Sequence, residues 1–538
     1  MWACPWPSKC VSPCVILAPL LELRPRWPNL TSGMSLRHAI TLGFLATSVA
    51  AAPMAPAQKP PADPTPIFSG RDAGTPPPAP TPNLPDLGEA ASADLSPEME
   101  ARIADEIARQ IRRSPDLIDD AELSAYLNAL GQRLAKADPD INQSFRFYLI
   151  KDDSINAAAF VGGIVIVHTG LLLAAQSESE VASVLAHEIS HVTQRHIARM
   201  IAKQEQVGIP MLAALAVAIL AARSSPDAAS AAIATTQAAA IQSQLNFSRD
   251  AEREADRVGL QLLDKAGFDP RGMPAFFERL QRSSQAYEAG PPVWLRTHPL
   301  TFERIADVEN RVHQMPYRQV QDSVDFQLVR EKVRVLRGNP HDLLVDFDRR
   351  LAETQGSDAM AIRYGRAFAF LQRRELAAAE AEITLLRSKF PAHGMVETLT
   401  GRLLLAQGRQ QEALQHYQAA IARFPRHRPL VYEYAQALFD AGRVQASLDL
   451  ALQESRAFPK DSRLYRLKGQ AYTALGKPLL AHQALGEASL IEGDLRAAMQ
   501  QLLLASQSEG SFYEKSIVEA RLREVRREVL ALDANRPR

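Results

Sequence analysis

The sequence predicts a mainly helical α+β chain: a first domain with a small β-sheet, then an all-α repeat solenoid. Three observations predict it. An amphipathic helical stretch carries His187-Glu188-x-x-His191, two short β-rich segments precede it, and Phe-Pro pairs recur every 34 residues in the C-terminal half. At 538 residues the chain holds two or more domains, each able to bury its own core. Its 46% hydrophobic and 23% charged residues are those of a globular protein. Lys+Arg and Asp+Glu are equal at 61 each, so composition gives no argument for nucleic acid or an anionic membrane surface.

From the N-terminus, Cys4, Cys10 and Cys14 are the only cysteines. An export signal begins at Met34, with Arg37 and His38, an apolar run from Ala39 to Ala46, and small residues through Ser48-Val49-Ala50. Residues 1–33 therefore read as a mis-assigned upstream segment and 34–52 as a signal peptide. The apolar run is too short for a membrane span, so cleavage is expected and leaves a chain without cysteine or disulfides. The first fifty residues contain four basic residues and one acidic residue, so 57 and 60 remain after them. Residues 53–85 hold twelve of the 36 prolines, and 53–94 reads as an extended linker unable to form a core.

Helical patterning runs from Pro97 past Asp120 to Leu134. Phe145–Ile150 alternates as a strand, and Gly163–His168 is a second β-rich segment entered by a turn at Gly162-Gly163. An edge strand there would pair with an extended peptide, whereas an internal strand would not; the pattern leaves both open.

Ser177 and Glu180 have capping-box spacing, and Val181, Leu185, Ile189 and Val192 follow at helical intervals. Positions four apart share a face, so His187 and His191 project together. Two neutral imidazoles so placed grip one Zn²⁺, and Glu188 is placed to take a proton from the attacking water. The alternative is a plain helix with two unrelated histidines. Val207–Ala222, apolar and interrupted by Pro210, is shorter than a spanning helix. A shield over the site, a membrane-touching segment and a core helix all fit it. Glu252 and Asp256 again lie four apart on one face, before a stop at Gly267. A site with two histidines from one helix needs a third protein ligand, and a carboxylate from a facing helix is a standard solution. His298, stiffened by Pro299, sits in a loop before the next helix.

Phe390-Pro391, Phe424-Pro425 and Phe458-Pro459 recur at 34-residue intervals, as do Gly401, Ala435 and Gly469, and Gly408, Gly442 and Gly476. That period with this pattern is the tetratricopeptide signature, two helices per unit. Residues 357–390 are a degenerate first repeat in which Arg374 replaces the expected glycine. Helices up to about Leu532 cap the stack.

Together these residues resemble the BepA-like (YfgC-type) periplasmic zinc metalloproteases, of the gluzincin group that includes HtpX and the CAAX prenyl protease. The resemblance rests on Asn156-Ala157, Gly162-Gly163, Thr169-Gly170-Leu171, His187-Glu188-x-x-His191, Arg195-His196, Glu252-x-x-Ala255-Asp256 and His298-Pro299, with tetratricopeptide repeats following. Val161 departs from it where relatives carry proline, and Ala159-Phe160 shifts the usual aromatic.

The resemblance implies a zincin-like metalloprotease domain over 95–315, connecting helices over 316–356 and a repeat domain over 357–532. It implies one Zn²⁺ per chain on His187, His191 and Glu252, with Glu188 as general base. Asp256 either orients a ligand histidine, the favoured role, or donates a proton. His298 is expected as a fourth ligand that keeps the enzyme latent, against a catalytic role in stabilising the transition state. Family members act in the periplasm on misfolded or stalled outer-membrane proteins, so the repeats are expected to dock clients or assembly machinery. Association with the outer membrane is an open reading, and a non-proteolytic repeat chaperone with a structural metal is the alternative.

Overall fold

The computed structural model describes residues 96–202, 248–286, 293–389 and 392–534. The expected signal peptide at 34–52, the segments on either side of it, the apolar run 207–222 and Phe390-Pro391 lie outside the described residues.

The helical patterning from Pro97 to Leu134 forms two helices, α1 (Pro97–Arg113) and α2 (Ala121–Ala135). Pro115 disfavours helix at Ser114, which is extended at ψ 131°, and Asp120 then caps α2 by accepting from the Glu122 and Leu123 N–H groups.

A three-stranded sheet follows, of β1 (Arg146–Ile150), β2 (Ala157–Phe160) and β3 (Ile164–His168), in the order β1-β3-β2. β3 is parallel to β1 and antiparallel to β2. The segment left open between edge and interior is thus the central strand. Its Ile164, Val165, Ile166 and Val167 are fully buried because the sheet is covered on both faces. Ile164 and Ile166 pack with Ile103, Ile107 and Ile111 of α1. Val165 and Val167 join the main core with Leu127 and Leu130 of α2. β2 has no strand signal in its three alanines, yet it is an edge. Gly162 and Gly163, at φ 72° and 77°, make the turn that returns the chain from it to β3.

The outer edge of β1 is closed by side-chain and loop contacts. Asn128 donates to the Phe147 carbonyl and accepts from its N–H, each at 3.2 Å, and Ile118 N–H donates to Leu149 O at 2.9 Å.

After α3 (Thr169–Ala174) comes α4 (Glu178–Thr193), the helix with the two histidines. Ser177 accepts from Glu180 N–H at 3.2 Å, but the Glu180 carboxylate accepts from Gln176 N–H, one residue beyond a standard capping box. The rest of this half comprises α5 (His196–Ala202), α6 (Arg249–Lys265), α7 (Gly272–Ala286), the short α8 (Val293–Thr297) and α9 (Phe302–His313). α6 crosses α4 closely: a Cβ on Gly259 would stand 3.1 Å from the His187 backbone nitrogen.

Helices α10 (Val324–Arg337) and α11 (Pro340–Glu353) lead into five helix pairs. They are α12 (Gly356–Gln372) with α13 (Leu376–Lys389), α14 (Gly394–Ala406) with α15 (Gln410–Arg423), and α16 (Arg428–Asp440) with α17 (Val444–Ala457). α18 (Ser462–Ala474) with α19 (Pro478–Ile491) and α20 (Leu495–Gln507) with α21 (Phe512–Ala534) complete them. Gly408, Gly442 and Gly476 end the first helix of their pairs at φ 75°, 73° and 67°, and Arg374 takes the same left-handed conformation at 62°. Gly401 permits close packing, since a Cβ there would meet the Tyr417 ring at 2.2 Å.

The main core runs unbroken from Leu123 through Phe326 and Tyr364 to Leu403, so α10 is packed into both halves. The solenoid also curls back onto α1, where Arg109 donates to Gly493 O at 2.7 Å and Arg113 pairs with Asp494 at 2.8 Å. Among the described residues no helix is long and apolar enough to cross a membrane.

Candidate metal centre

α4, α6 and the residue that follows α8 bring the predicted side chains together. His187, Glu188, Glu252 and Asp256 are 1% exposed, His191 0% and His298 2%. His187 Nε2 lies 3.0 Å from His191 Nε2 and 3.3 Å from His298 Nδ1. Glu252 approaches the three rings, with Oε2 3.5 Å from His187 Nε2, and Oε1 3.4 Å from His191 Nε2 and 2.9 Å from His298 Nδ1. One donor atom from each of the four residues lies within 4.8 Å of the others.

This donor set fits a divalent cation. Three imidazole nitrogens and a carboxylate converge on one buried point, and neutral rings there would face each other's lone pairs. Burial holds His191 well below the ordinary imidazole range. For His187 burial acts the same way, but Asp256 and Glu252 outweigh it and push the group up to about 9. Burial would raise the Glu252 carboxyl, yet facing His298, His187 and His191 it lies well below its ordinary value. A metal ion taken up here would compete with a proton for His187.

Asp256 stands behind the cluster, its Oδ1 3.0 Å from His187 Nδ1. Arg304, on α9, grips both oxygens of Asp256 at 2.7 and 2.8 Å, and its NH1 lies 2.7 Å from Glu252 Oε2. Although burial opposes the charge, Arg304 and His187 hold Asp256 below the usual carboxylate range, so it stays ionised. Glu188 accepts from Ala159 N–H at 3.0 Å through Oε2 and from Trp294 Nε1–H at 3.1 Å through Oε1. Since β2 pairs with β3 through residues 156 and 158, Ala157 and Ala159 turn their backbone groups to this open edge. Trp294 of α8 also stacks on His298, ring centroids 4.8 Å apart.

Arg304 and Trp294 are contacts the linear pattern does not single out. The one available sign was Trp294, the sole tryptophan after Trp27. An arginine in the first turn of an amphipathic helix normally faces solvent, and nothing local marks Arg304 as buried.

Comparison with known proteins agrees with this geometry. Residues 121–312 match peptidase family M48 and residues 404–471 match the tetratricopeptide repeat. The β-barrel assembly-enhancing protease of Escherichia coli K12 is 35% identical over 426 residues, 79% of this chain and 87% of that protein. The protein of the same name from Yersinia pestis is 33% identical over 424 residues, with the same two shares covered. Metalloprotease LoiP of Escherichia coli K12 is 27% identical over 190 residues, 35% of this chain and 69% of that protein. With a buried histidine–carboxylate cluster, a repeat solenoid and similarity along most of its length, this chain belongs to peptidase family M48, as a metalloendopeptidase of the β-barrel assembly-enhancing protease family.

Proposed function

We propose that this protein is a zinc endopeptidase, exported to the periplasm, that acts on misfolded or stalled outer-membrane β-barrel proteins and assists their assembly. The cluster of His187, His191, Glu252 and His298 beside Glu188 carries the reading, with the relatives' names supplying the client class. In it, His187, His191 and Glu252 hold the metal, Asp256 and Arg304 position His187 and Glu252, and residues 95–315 form the protease domain. The repeats over 357–532 dock clients or assembly machinery.

Zinc held by His187, His191 and Glu252 would supply Lewis-acid chemistry, polarising the scissile carbonyl and making water easier to deprotonate. Glu188 takes the proton from that water and passes it to the leaving amine. The Ala157 and Ala159 backbone groups pair with the extended substrate, which takes the place of Glu188 at the Ala159 N–H. Asp256, ionised and turned to His187 Nδ1, acts as a positioning residue rather than a proton donor.

Purified protein is expected to hold about one zinc per chain and to cleave an unfolded β-barrel client, with chelation stopping cleavage and Zn²⁺ restoring it. Glu252→Gln should lower zinc occupancy. Full zinc retention after His187 and His191 are both replaced by Ala would overturn the assignment. Recovery of the protein in the cytoplasm with Cys4 present would overturn the export reading.

Every residue of the site is buried, and α8, whose Trp294 donates to Glu188, is one element that covers it. His298 and Trp294, on one face of that segment, close the cluster and hold Glu188, which is the arrangement of a latch. The His298→Ala variant is therefore expected to cleave unfolded client faster than wild type. Trp294 fluorescence in the exported form should report the opening. A rate lower by about 10² with zinc still bound would make His298 a transition-state group instead.

A further inference from the structure

Both histidines of α4 need their Nδ1 occupied if Nε2 is to offer a lone pair to a cation. For His187 the partner is Asp256. Behind His191 stands another imidazole: His196 Nδ1 lies 2.9 Å from His191 Nδ1, and His196 Nε2 lies 2.9 Å from Glu254 Oε2. His196 is buried at 4% exposure, while the Glu254 side chain keeps 43% and also meets Arg199 NH2 at 3.2 Å.

For a neutral His196, the contacts to His191 and Glu254 set the proton placement along this chain. A carboxylate is acceptor only, so His196 Nε2 carries the hydrogen and donates to Glu254. His196 Nδ1 then holds a lone pair and accepts from His191 Nδ1–H. That leaves His191 Nε2 unprotonated and facing the cluster.

The backbone is bent to make this contact. α4 ends at Thr193, and Arg195 adopts φ 53°, a left-handed conformation costly for an arginine. This kink starts α5 in a new direction and turns His196 back over His191. The Arg195 side chain is anchored on Glu100 of α1 at 2.8 Å, which holds the kinked residue in place.

We propose that Glu254 and His196 form a relay that fixes the tautomer and ring orientation of His191, making His196 a positioning residue for metal binding. α6 then sets both histidines of α4: His187 through Asp256, and His191 through Glu254 and His196. The inference rests on the metal reading of the cluster and adds to it a residue that touches no metal itself.

The test is Zn²⁺ affinity of the full-length protein, stripped by a chelator and titrated in competition with a chromophoric chelator, alongside the Co²⁺ absorption spectrum. His196→Ala is expected to weaken Zn²⁺ binding by about 10- to 100-fold, the cost typical of losing such an outer partner. His196→Asn, whose Oδ1 accepts where Nδ1 did, should stay within about threefold of wild type and keep the Co²⁺ spectrum. Glu254→Gln should weaken binding in the wild-type background and add nothing in the His196→Ala background, the non-additivity of groups acting in one chain. Wild-type affinity in His196→Ala overturns the relay. So does His196→Asn binding no better than His196→Ala, or full additivity of Glu254→Gln with His196→Ala. Absence of Zn²⁺ binding by wild type would instead strike the metal reading itself, so the two failures are distinct.

Discussion

Replacing Glu188 by Gln is expected to lower peptide cleavage by about 10³-fold or more while zinc stays bound, since it removes the general base and leaves the donor set intact. The structure adds a second expectation. In the closed site each Glu188 oxygen accepts an N–H, from Ala159 and from Trp294 Nε1. A glutamine has one acceptor oxygen, so one of these buried donors would face an NH₂ group, a mismatch costing about 1–3 kcal/mol. The variant should therefore be inactive yet more open, with faster hydrogen exchange at the Ala159 amide and altered Trp294 emission. Cleavage at the wild-type rate would remove Glu188 from the mechanism. Unchanged exchange with lost cleavage would leave the base assignment standing and count against the closed arrangement.

Lys332→Met is expected to cost about 3–5 kcal/mol, the penalty for stranding a buried carboxylate. Lys332 of α10 is fully buried, with its Nζ 2.6 Å from Glu122 Oε2 and 2.7 Å from Asp120 Oδ2 of α2. His427, between α15 and α16, reaches the same Glu122 at 3.3 Å, so this cluster ties the protease half to the solenoid. Burial would raise the Glu122 carboxyl, but Lys332 and its neighbours hold it far below the ordinary range. A depressed carboxyl contributes stability that is present above its unfolded value of about 4.3 and is lost as pH falls below it. Without Lys332 that contribution shrinks, because burial favours the protonated form and only His427 and Arg402 are left to oppose it. Thermal unfolding should show a large gap between wild type and variant at pH 7 that narrows near pH 4. A midpoint at pH 7 unchanged within about 2 °C would refute the role given to Lys332.

The solenoid was the most legible part of the chain because its signals are local. The recurring glycines mark turns that need positive φ, a property of single residues, and the 34-residue spacing repeats whatever the units pack against. Arg374 was legible as an exception, and the structure shows it in the glycine conformation all the same. The β-sheet was less legible. Ala157-Ala158-Ala159 carries no β-propensity, so the edge strand was missed, and the strong Ile164–Val167 run was compatible with either position in a sheet.

For the site, the sequence by itself determined the helix bearing His187, Glu188 and His191, and the facing carboxylates Glu252 and Asp256, because four-residue spacing places side chains on one helical face regardless of context. The tertiary structure alone decided what surrounds them. Trp294 reaches Glu188 across 106 residues, His298 reaches His187 across 111, and Arg304 reaches Asp256 across 48. Such contacts depend on how α4, α6, α8 and α9 cross, and helix crossing is set by the packing of whole faces, which no short window of sequence contains.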